Sequence, residues 1–558
     1  MRCAPAPEPK RDRTRRSQAT AGVLGSTPMR PPIVVALGLT CCLELGLGCG
    51  GSPPPRPKPA TASTVEPEET ETEEVVARVR RERRLDPSIS VDNLQQRLSP
   101  FIASIGAGFG PGHQPMGVVS LSAGGDVIYE RALGHADVAA EEANDSDTSF
   151  RIGAITAQFT AAAVLRLVQA KKLSLTDSIS AFVPDYPAVG AGITIAQLLS
   201  HTSGLPQYLT KSQLLENRAA PFTPRQLLEL FWSDPLDFEP GSDFGYSDSD
   251  YVVLGVIIEK VTGKAYAEHM QRDLFDRFDL DDTSVGAGDD RDDLALGYSA
   301  SPSGGLERSL GFHDSILYSA AGIRSTAHDL LAWHDALQQG EVLDPAREKV
   351  LQTVVRNHYA SGWFVRQQRG HEVLSHPGAV EGFVSDFARV PELDLAIVVL
   401  LNNSSLDAQR ITDAAFGIAL GEPIEPLPRE KRVALDASVP ARIIGTYRLS
   451  EAAARELEAR KIPKRALLAM RSVRIYQKGD ELFFKPAGQS AVRMVATGRS
   501  SFVLVGGKAK IEVALDPGDA PATRVLLKQG ALRVEFTRRA RQRGKPDQPE
   551  LDDEESAE

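Results

Sequence analysis

The spacing of apolar residues in the middle of the chain follows two periods. Apolar side chains recur every three to four positions in the segments TAAAVLRLVQAKKLSL and TIAQLLSHTSGL, which is typical of buried amphipathic helices. They alternate with polar residues in MGVVSLSAGGDVIYERALG, where an Ala-Gly-Gly-Asp turn between two strands predicts a hairpin. The nearly continuous apolar run DLAIVVLLNN predicts a strand in the centre of a sheet. Together these segments predict a domain of helices and strands over residues 91–425.

A different pattern begins near residue 430. Short alternating stretches with Gly-containing turns predict a small antiparallel barrel or sandwich; among them are ARIIGTYRLS, SVRIYQKGDELFFKPAG and ATRVLLKQGALRVEFTRR. One helical segment, SEAAARELEARKIPKRALLAM, interrupts these strands, with Ser450 as its predicted N-cap. We therefore predict a second, β-rich domain over residues 430–540 and a charged tail over residues 541–558.

The N-terminal part of the chain predicts a targeting segment followed by a tether. The run PPIVVALGLTCCLELGLGCGG is short and contains Glu44, so it suits a signal segment over residues 1–48 better than a membrane span. Translation could begin at Met1 or at Met29, which lies just before this run. The segment LGLGC resembles a bacterial lipoprotein cleavage site, in which Cys49 would carry the lipid anchor, and a secretory signal is the alternative. Residues 49–90, rich in Pro, Thr and Glu, predict a solvated linker.

Composition narrows the classes of function. The net charge of -11 and the pI near 5.6 argue against nucleic acid as the main partner, because phosphate binding needs a basic face. The four cysteines all lie in the first fifty residues, at Cys3, Cys41, Cys42 and Cys49. The rest of the chain therefore has no disulfide, no thiolate metal site and no cysteine nucleophile. We expect neither a metal nor a cofactor.

Six segments of residues 95–420 resemble, in order, the serine β-lactamases and DD-peptidases, specifically the branch of class C β-lactamases and penicillin-binding-protein relatives. They are GVVSLSAGGDVIYERALGHAD, FRIGAITAQFTAAAVLRLVQAKKLSLTDSI, ITIAQLLSHTSGLP, FGYSDSDYVVLGVIIEKVTGKAY, AAGIRSTAHDLLAWHDAL and SHPGAVEGF. The resemblance implies an α+β fold, in which an antiparallel sheet is flanked by helices and joined by a helical subdomain. The β-rich C-terminal addition resembles a lipocalin-like barrel.

The resemblance also implies where catalysis would occur. In this family a Ser on the first helical turn attacks the substrate and a Lys three residues later takes its proton, since residues i and i+3 share a helix face. These positions hold Ala154 and Ala157 here, and the flanking residues keep the register. Nowhere in the chain is a Ser followed by a Lys three positions on. Thr156 should face elsewhere, about 200° around a helix from position 154, and Ser149 precedes the helix.

The other two motifs of the family are partly kept. Tyr246 matches the second motif, Tyr-x-Asn, but Asp248 replaces its Asn. His376 and Gly378 keep the His-x-Gly form of the third motif, which in the family lies on the edge strand beside the substrate. We predict that these four residues form a residual pocket, and we add the hypothesis that a protonated His376 pairs with Asp248. The alternative is that Tyr246 and His376 still act as a base.

The sequence thus predicts a bacterial envelope protein whose β-lactamase-like domain does not hydrolyse by the family mechanism. We expect a lipoprotein of the cell envelope, periplasmic or surface-exposed, that binds cell-wall peptide or a protein partner. One alternative is an active hydrolase of esters, β-lactams or D-amino-acid peptides that uses noncanonical residues. Another is a purely structural envelope component.

Overall fold

A computed structural model describes residues 85–538, except 108–111, 287–293, 302–304, 427–432, 434, 437, 460–469, 479–480, 488–491, 505–508, 516–517 and 530–531. The predicted signal segment 1–48, the predicted lipidation site Cys49, residues 49–84 of the predicted linker and the tail 541–558 lie outside the described residues. No helix in the described ranges is both long enough and apolar enough to cross a membrane.

The N-terminal domain is built around an antiparallel sheet. Its strands, in chain order with the short accessory strands, are β1 (Gly117–Ala123), β2 (Asp126–Leu133), β3 (His135–Asp137), β4 (Glu142–Ala143), β5 (Phe150–Arg151), β6 (Ser284–Val285), β7 (Tyr298–Ala300), β8 (Leu306–Arg308), β9 (Ile323–Ser325), β10 (Phe364–Gln368), β11 (His371–Val380), β12 (Phe383–Val390) and β13 (Leu395–Leu401). Six described strands form the main sheet, in the order β10, β11, β12, β13, β1 and β2. β13, the continuous apolar run, is buried throughout between β12 and β1, which confirms its predicted central position.

Helices cover both faces of this sheet. They are α1 (Val91–Asn93), α2 (Ser99–Ser104), α3 (Thr156–Gln169), α4 (Ile179–Phe182), α5 (Ile195–Leu199), α6 (Ser212–Glu216), α7 (Pro224–Glu229), α8 (Asp248–Thr262), α9 (Tyr266–Met270), α10 (Asp314–Ala321), α11 (Ala327–Gln338), α12 (Pro345–Gln352) and α13 (Ala408–Ala419). Single turns of tighter or wider helix lie at Leu94–Leu98, Gly153–Ile155, Tyr208–Thr210, Gln271–Phe275 and Pro391–Leu393.

The alternation of side chains along β13 divides the apolar core into two layers. Ala396, Val398 and Leu400 face the larger cluster, which includes α3, α8 and α11. Leu395 and its alternate neighbours face a second cluster formed with α13 and the N-terminal helices. Because a buried Leu side chain contributes about 1.5–3 kcal/mol, this strand holds the two layers together. The arrangement is the predicted α+β fold.

The C-terminal domain is a barrel rather than a sandwich. Eight described strands close on themselves through the pairing of β14 with β21: β14 (Gly445–Leu449), β15 (Ser472–Lys478), β16 (Glu481–Pro486), β17 (Val492–Ala496), β18 (Ser501–Leu504), β19 (Lys510–Val513), β20 (Arg524–Gln529) and β21 (Leu532–Arg538). The helices α14 (Ser438–Ile443) and α15 (Glu451–Ala459) accompany it. Ser450 Oγ accepts a hydrogen bond from the Ala453 N–H at 3.2 Å, as predicted for an N-cap.

Candidate functional site

The start of α3 is anchored to the neighbouring strand β9. The Ile152 N–H donates to the Ile323 carbonyl at 3.1 Å, and the Ile323 N–H donates to Thr156 Oγ1, also at 3.1 Å. The Thr156 hydroxyl is fully buried and accepts a bond that would otherwise be missing from the end of β9. This contact gives Thr156 a structural role, in agreement with the expectation that it does not replace the missing nucleophile.

Ala154 and Ala157 occupy the positions where the resemblance implies a nucleophile and its base. Ala154 lies in the tight turn Gly153–Ile155 and is partly exposed, whereas Ala157 lies in the first turn of α3 and is 1% exposed. The two residues are three positions apart and therefore share one side of the helix start. Each presents only a methyl group, which neither attacks a carbonyl nor moves a proton.

The turn before α3 packs directly against β11, and glycines make this contact possible. Gly153 has φ +57°, and a Cβ there would lie 2.6 Å from the Ala379 backbone nitrogen. A Cβ at Gly378 would collide with the Ile152 carbonyl oxygen, which also accepts a hydrogen bond from Ser385 Oγ at 2.9 Å. Gly378 therefore fixes the distance between the helix start and the strand.

The third-motif segment lies on β11 beyond the end of its neighbour. β10 pairs with β11 only as far as Ser375, which lies opposite Phe364. Residues 376–380 remain paired with β12 on one side, but no described strand pairs with them on the other. The predicted edge position of the third motif is thus a local one, because β11 is the second strand of the sheet.

An aromatic wall brings the second and third motifs together. The Tyr246 ring lies 6.0 Å from the His376 ring and 4.3 Å from the His201 ring, measured between centroids. Tyr359 lies 4.7 Å from His201 and 5.9 Å from His376. Two of the predicted pocket residues therefore share a wall, together with His201 and Tyr359, which the sequence did not identify.

His376 is held as a neutral imidazole. Its Nδ1 donates to the Pro377 carbonyl at 2.8 Å, and its Nε2 lies 3.4 Å from the Tyr359 hydroxyl. Burial lowers the pKa of His376 to about 3, because a charged ring would lose its hydration. Its Nε2 is consequently a hydrogen-bond acceptor at neutral pH.

Asp248 has a different partner from the one hypothesised. Its Oδ2 accepts a hydrogen bond from Gln207 Nε2 at 2.7 Å, and burial raises the pKa of this carboxyl group. A neutral His376 bonded to Pro377 and Tyr359 offers Asp248 no cation, so the hypothesis of a protonated His376–Asp248 pair was wrong. Gln207 is 41 residues away in the chain, and no local signal pointed to it.

Behind the wall lies a buried chain of polar groups. His201 Nδ1 bonds Asp250 Oδ2 at 2.7 Å, and the Ser203 hydroxyl donates to the other oxygen of the same carboxylate. All three side chains are fully buried, and burial lowers the pKa of His201 to about 3, which keeps its ring neutral. The segment HTSG is therefore a structural turn that also supports the aromatic wall. In the sequence, the signal for this buried network was Asp250, which lies on an otherwise apolar face of α8.

The described residues include no group of three or more His, Cys, Asp or Glu side chains able to hold a metal ion. The aromatic wall and the helix start instead both lie against β11, at His376 and at Gly378, and their side chains are aromatic rings, a neutral imidazole and two methyl groups. Such a surface can bind through shape and hydrogen bonds, but it lacks the two groups that the serine mechanism uses.

Comparison with known proteins agrees with this geometry. The profile of the beta-lactamase family matches residues 103–421, more than half of the chain. This chain belongs to the beta-lactamase family. A "Penicillin-binding protein 4*" of Bacillus subtilis is 24% identical over 449 residues, which are 76% of this chain and 95% of that protein.

Two solved structures extend the likeness. A penicillin-binding protein from Bacillus halodurans is 26% identical with a TM-score of 0.50, covering 55% of this chain and 96% of that one. An octameric penicillin-binding protein homologue from Pyrococcus abyssi shares the fold at 20% identity with a TM-score of 0.52, covering 75% of this chain and 96% of that one.

Proposed function

We propose that this beta-lactamase-family protein binds its ligand without hydrolysing it, and that the ligand is a cell-wall peptide. The observation that carries the proposal is the pair Ala154 and Ala157 at the start of α3. Loss of the nucleophile of a serine hydrolase costs on the order of 10⁶ in kcat, and loss of its base adds little more. The remaining donors of the cleft supply only a small part of the family's catalysis.

The cleft nevertheless keeps features that suit a ligand. Ser247 Oγ, at the start of α8, and His201 Nε2, in the aromatic wall, are buried atoms without a hydrogen-bond partner among the described residues. A buried polar atom left without a partner costs about 1–3 kcal/mol, so a bound polar ligand or water would stabilise both. Relatives named penicillin-binding proteins support peptide chemistry for that ligand, and with it a location in the cell envelope.

The predicted anchor belongs to the same proposal. A lipid on Cys49 would hold the cleft at a membrane surface, where cell-wall peptides are at hand. A protein partner in place of a peptide is the other ligand that the sequence left open, and the binding experiment below distinguishes the two.

The alternative function is hydrolysis by noncanonical residues, and one observation favours it. The neutral His376 keeps Nε2 free of a proton and close to the Tyr359 hydroxyl, which is how a base is held. That base still needs a nucleophile, and the first turn of α3 supplies none.

Covalent probes separate the two functions. We expect a fluorescent penicillin and a fluorophosphonate to leave the purified protein unlabelled, because no acyl-enzyme forms without a nucleophile. Stable labelling of a cleft residue by either probe would establish the hydrolase instead.

Calorimetry tests the binding itself. Muropeptide should bind the native chain, and the substitution Ala154→Trp should abolish the heat of binding by filling the cleft at the helix start. Ala140→Trp, in an exposed turn, is the matched control and should bind as the native chain does. If native protein and control release no heat with muropeptide, the peptide ligand is wrong and a protein partner or a structural role takes its place.

A further inference from the structure

The two domains carry opposite charges. Residues 85–425 contain 46 Asp and Glu against 23 Lys and Arg, whereas residues 433–538 contain 10 Asp and Glu against 19 Lys and Arg. The overall charge of -11 therefore conceals a strongly acidic cleft domain and a basic barrel. Such a separation creates a field that orients the molecule near a charged partner.

Three cations face one another across adjacent barrel strands. Lys510 on β19 lies opposite Lys528 on β20, which in turn lies opposite Arg533 on β21. Like charges directly opposite in a sheet destabilise it, since neighbouring strands are only about 4.8 Å apart. Lys528 is bonded to Glu512 at 2.5 Å, while Lys510 and Arg533 are exposed and have no ion pair with any described residue.

The same three strands carry a further cation. Arg524 on β20 is exposed and alternates with the inward residues Val525 and Leu527, as Lys528 does, and it is partnered by Glu535 at 3.5 Å. The basic face of the barrel is thus the surface formed by Lys510, Arg524, Lys528 and Arg533 on β19, β20 and β21.

The opposite side of the barrel is already covered. Phe483, Val495 and Val503 alternate with the inward residues of β16, β17 and β18, so they point outward, yet each is buried. The Val433 N–H donates to the Ala496 carbonyl at 3.0 Å beside this patch, so the segment that enters the domain contributes to the cover. The basic face is the side that remains open to solvent.

We propose that the basic face docks on an anionic phospholipid surface. A planar surface meets one side of the barrel only, and charges farther away than about 8 Å are screened at physiological salt. The net charge of -11 repels a long polyanion such as DNA, whereas a membrane surface interacts over a short distance, so that the local charge of the barrel decides the contact. This proposal goes beyond ligand binding in the cleft and does not depend on it.

Vesicle sedimentation tests the docking. The full chain, carrying Cys49→Ser so that no lipid is attached, is mixed with vesicles of phosphatidylglycerol and phosphatidylcholine or of phosphatidylcholine alone. Each Lys or Arg at an anionic surface is worth about a fivefold change in partitioning. We expect Lys510→Gln with Arg533→Gln to lower partitioning about 25-fold, and the corresponding double substitution to Glu to lower it further.

The controls isolate the barrel face. Lys172→Glu with Lys260→Glu makes the same charge change at exposed sites of the cleft domain and should bind as the parent does. The N-terminal apolar segment is present in every variant, so differences between variants report the face alone. High salt should release the parent from the anionic vesicles.

Three results would overturn the proposal. One is equal partitioning to neutral and anionic vesicles. Another is unchanged partitioning of both barrel variants. The third is that the parent binds double-stranded DNA or a second copy of itself more strongly than it binds anionic vesicles. In that case Lys510→Glu with Arg533→Glu would abolish the DNA binding or the self-association.

Discussion

The two parts of the candidate site, the start of α3 and the aromatic wall, differ in the groups that they present. At the start of α3 the positions of the family's working groups carry only the methyl groups of Ala154 and Ala157. In the aromatic wall, Tyr246, Tyr359, His376 and His201 are in ring contact, and His201 is held in place by the buried Asp250. The start of α3 carries no reactive side chain, whereas the aromatic wall is held together by ring contacts and hydrogen bonds.

Under the proposed function, this difference means that the aromatic wall can persist without catalysis. Buried titratable groups such as Asp250 and His201 are costly to hold, and His201 also adopts a left-handed backbone conformation with φ 53°. A domain that used its cleft for nothing would gain stability by replacing these groups with apolar ones. Their presence supports a cleft that still binds.

The largest expected effect comes from restoring a nucleophile and its base at the start of α3. Ala154→Ser with Ala157→Lys should raise ester hydrolysis by about 10³-fold or more over the native chain, because the nucleophile and its base act as a unit. Stopped assays with an activated ester measure it, and each single substitution is a control that should stay near the native rate. If the double variant stays inactive and adding Asp248→Asn restores the reaction, then the second motif has diverged as well.

The next largest effect concerns the bonded wall. Asp250→Ala should lower the free energy of unfolding by about 3 kcal/mol, since it leaves His201 and Ser203 buried without their partner. Tryptophan fluorescence in urea reports this domain alone, because all three tryptophans lie in it, at Trp232, Trp333 and Trp363. Asp243→Ala, at an exposed site, should change little. An equally small loss for Asp250→Ala would show that the hydrogen bonds of Asp250 do not stabilise the domain.

The neutral histidines make the wall sensitive to acid. The pKa of His376 falls from its ordinary 6.5 to about 3 on folding, so the unfolded chain binds more protons between these values. Stability is therefore full above about pH 6.5 and is lost as pH falls towards 3. At about pH 5 this one group accounts for about 2 kcal/mol. Between pH 7 and about pH 5, His376→Gln should therefore lose about 2 kcal/mol less of its free energy of unfolding than the native chain does. Identical pH profiles of the two proteins would contradict the low pKa of His376.

The smallest effect returns to the helix start. Thr156→Val should cost about 1 kcal/mol, because the Ile323 N–H loses its acceptor, and should leave muropeptide binding unchanged. Thr176→Val, at an exposed site, is the control. If Thr156→Val instead removed probe labelling or a residual hydrolysis, then Thr156 would be a nucleophile and the contrast between the walls would disappear.

The spacing of apolar residues was sufficient to predict the individual strands and helices. The apolar run of β13, the strands of the barrel and the helix bearing Ala154 and Ala157 depend on alternation and on the i, i+3 relation, which are visible in the chain. The barrel's closure was one of two predicted outcomes, because alternation is the same in a sandwich. Periodicity alone therefore could not choose between them.

The contacts between distant segments were not predictable in the same way. The Gln207 partner of Asp248, the position of Tyr359 beside His376, and the support of His201 by Asp250 each join residues many positions apart. Such pairs depend on how helices and strands pack, which spacing does not encode. The hypothesis about His376 failed for this reason, since burial in the packed wall decides its charge.

The end of β10 at Phe364 has a consequence for recognition. Among the described strands, it leaves residues 376–380 of β11 without a ladder partner on one side, and under the proposed function a peptide ligand would pair there as an added strand. Pairing of this kind depends on hydrogen bonds between main-chain groups and requires no particular side chain. Affinity supplied in this way would be independent of the side chains at positions 154 and 157.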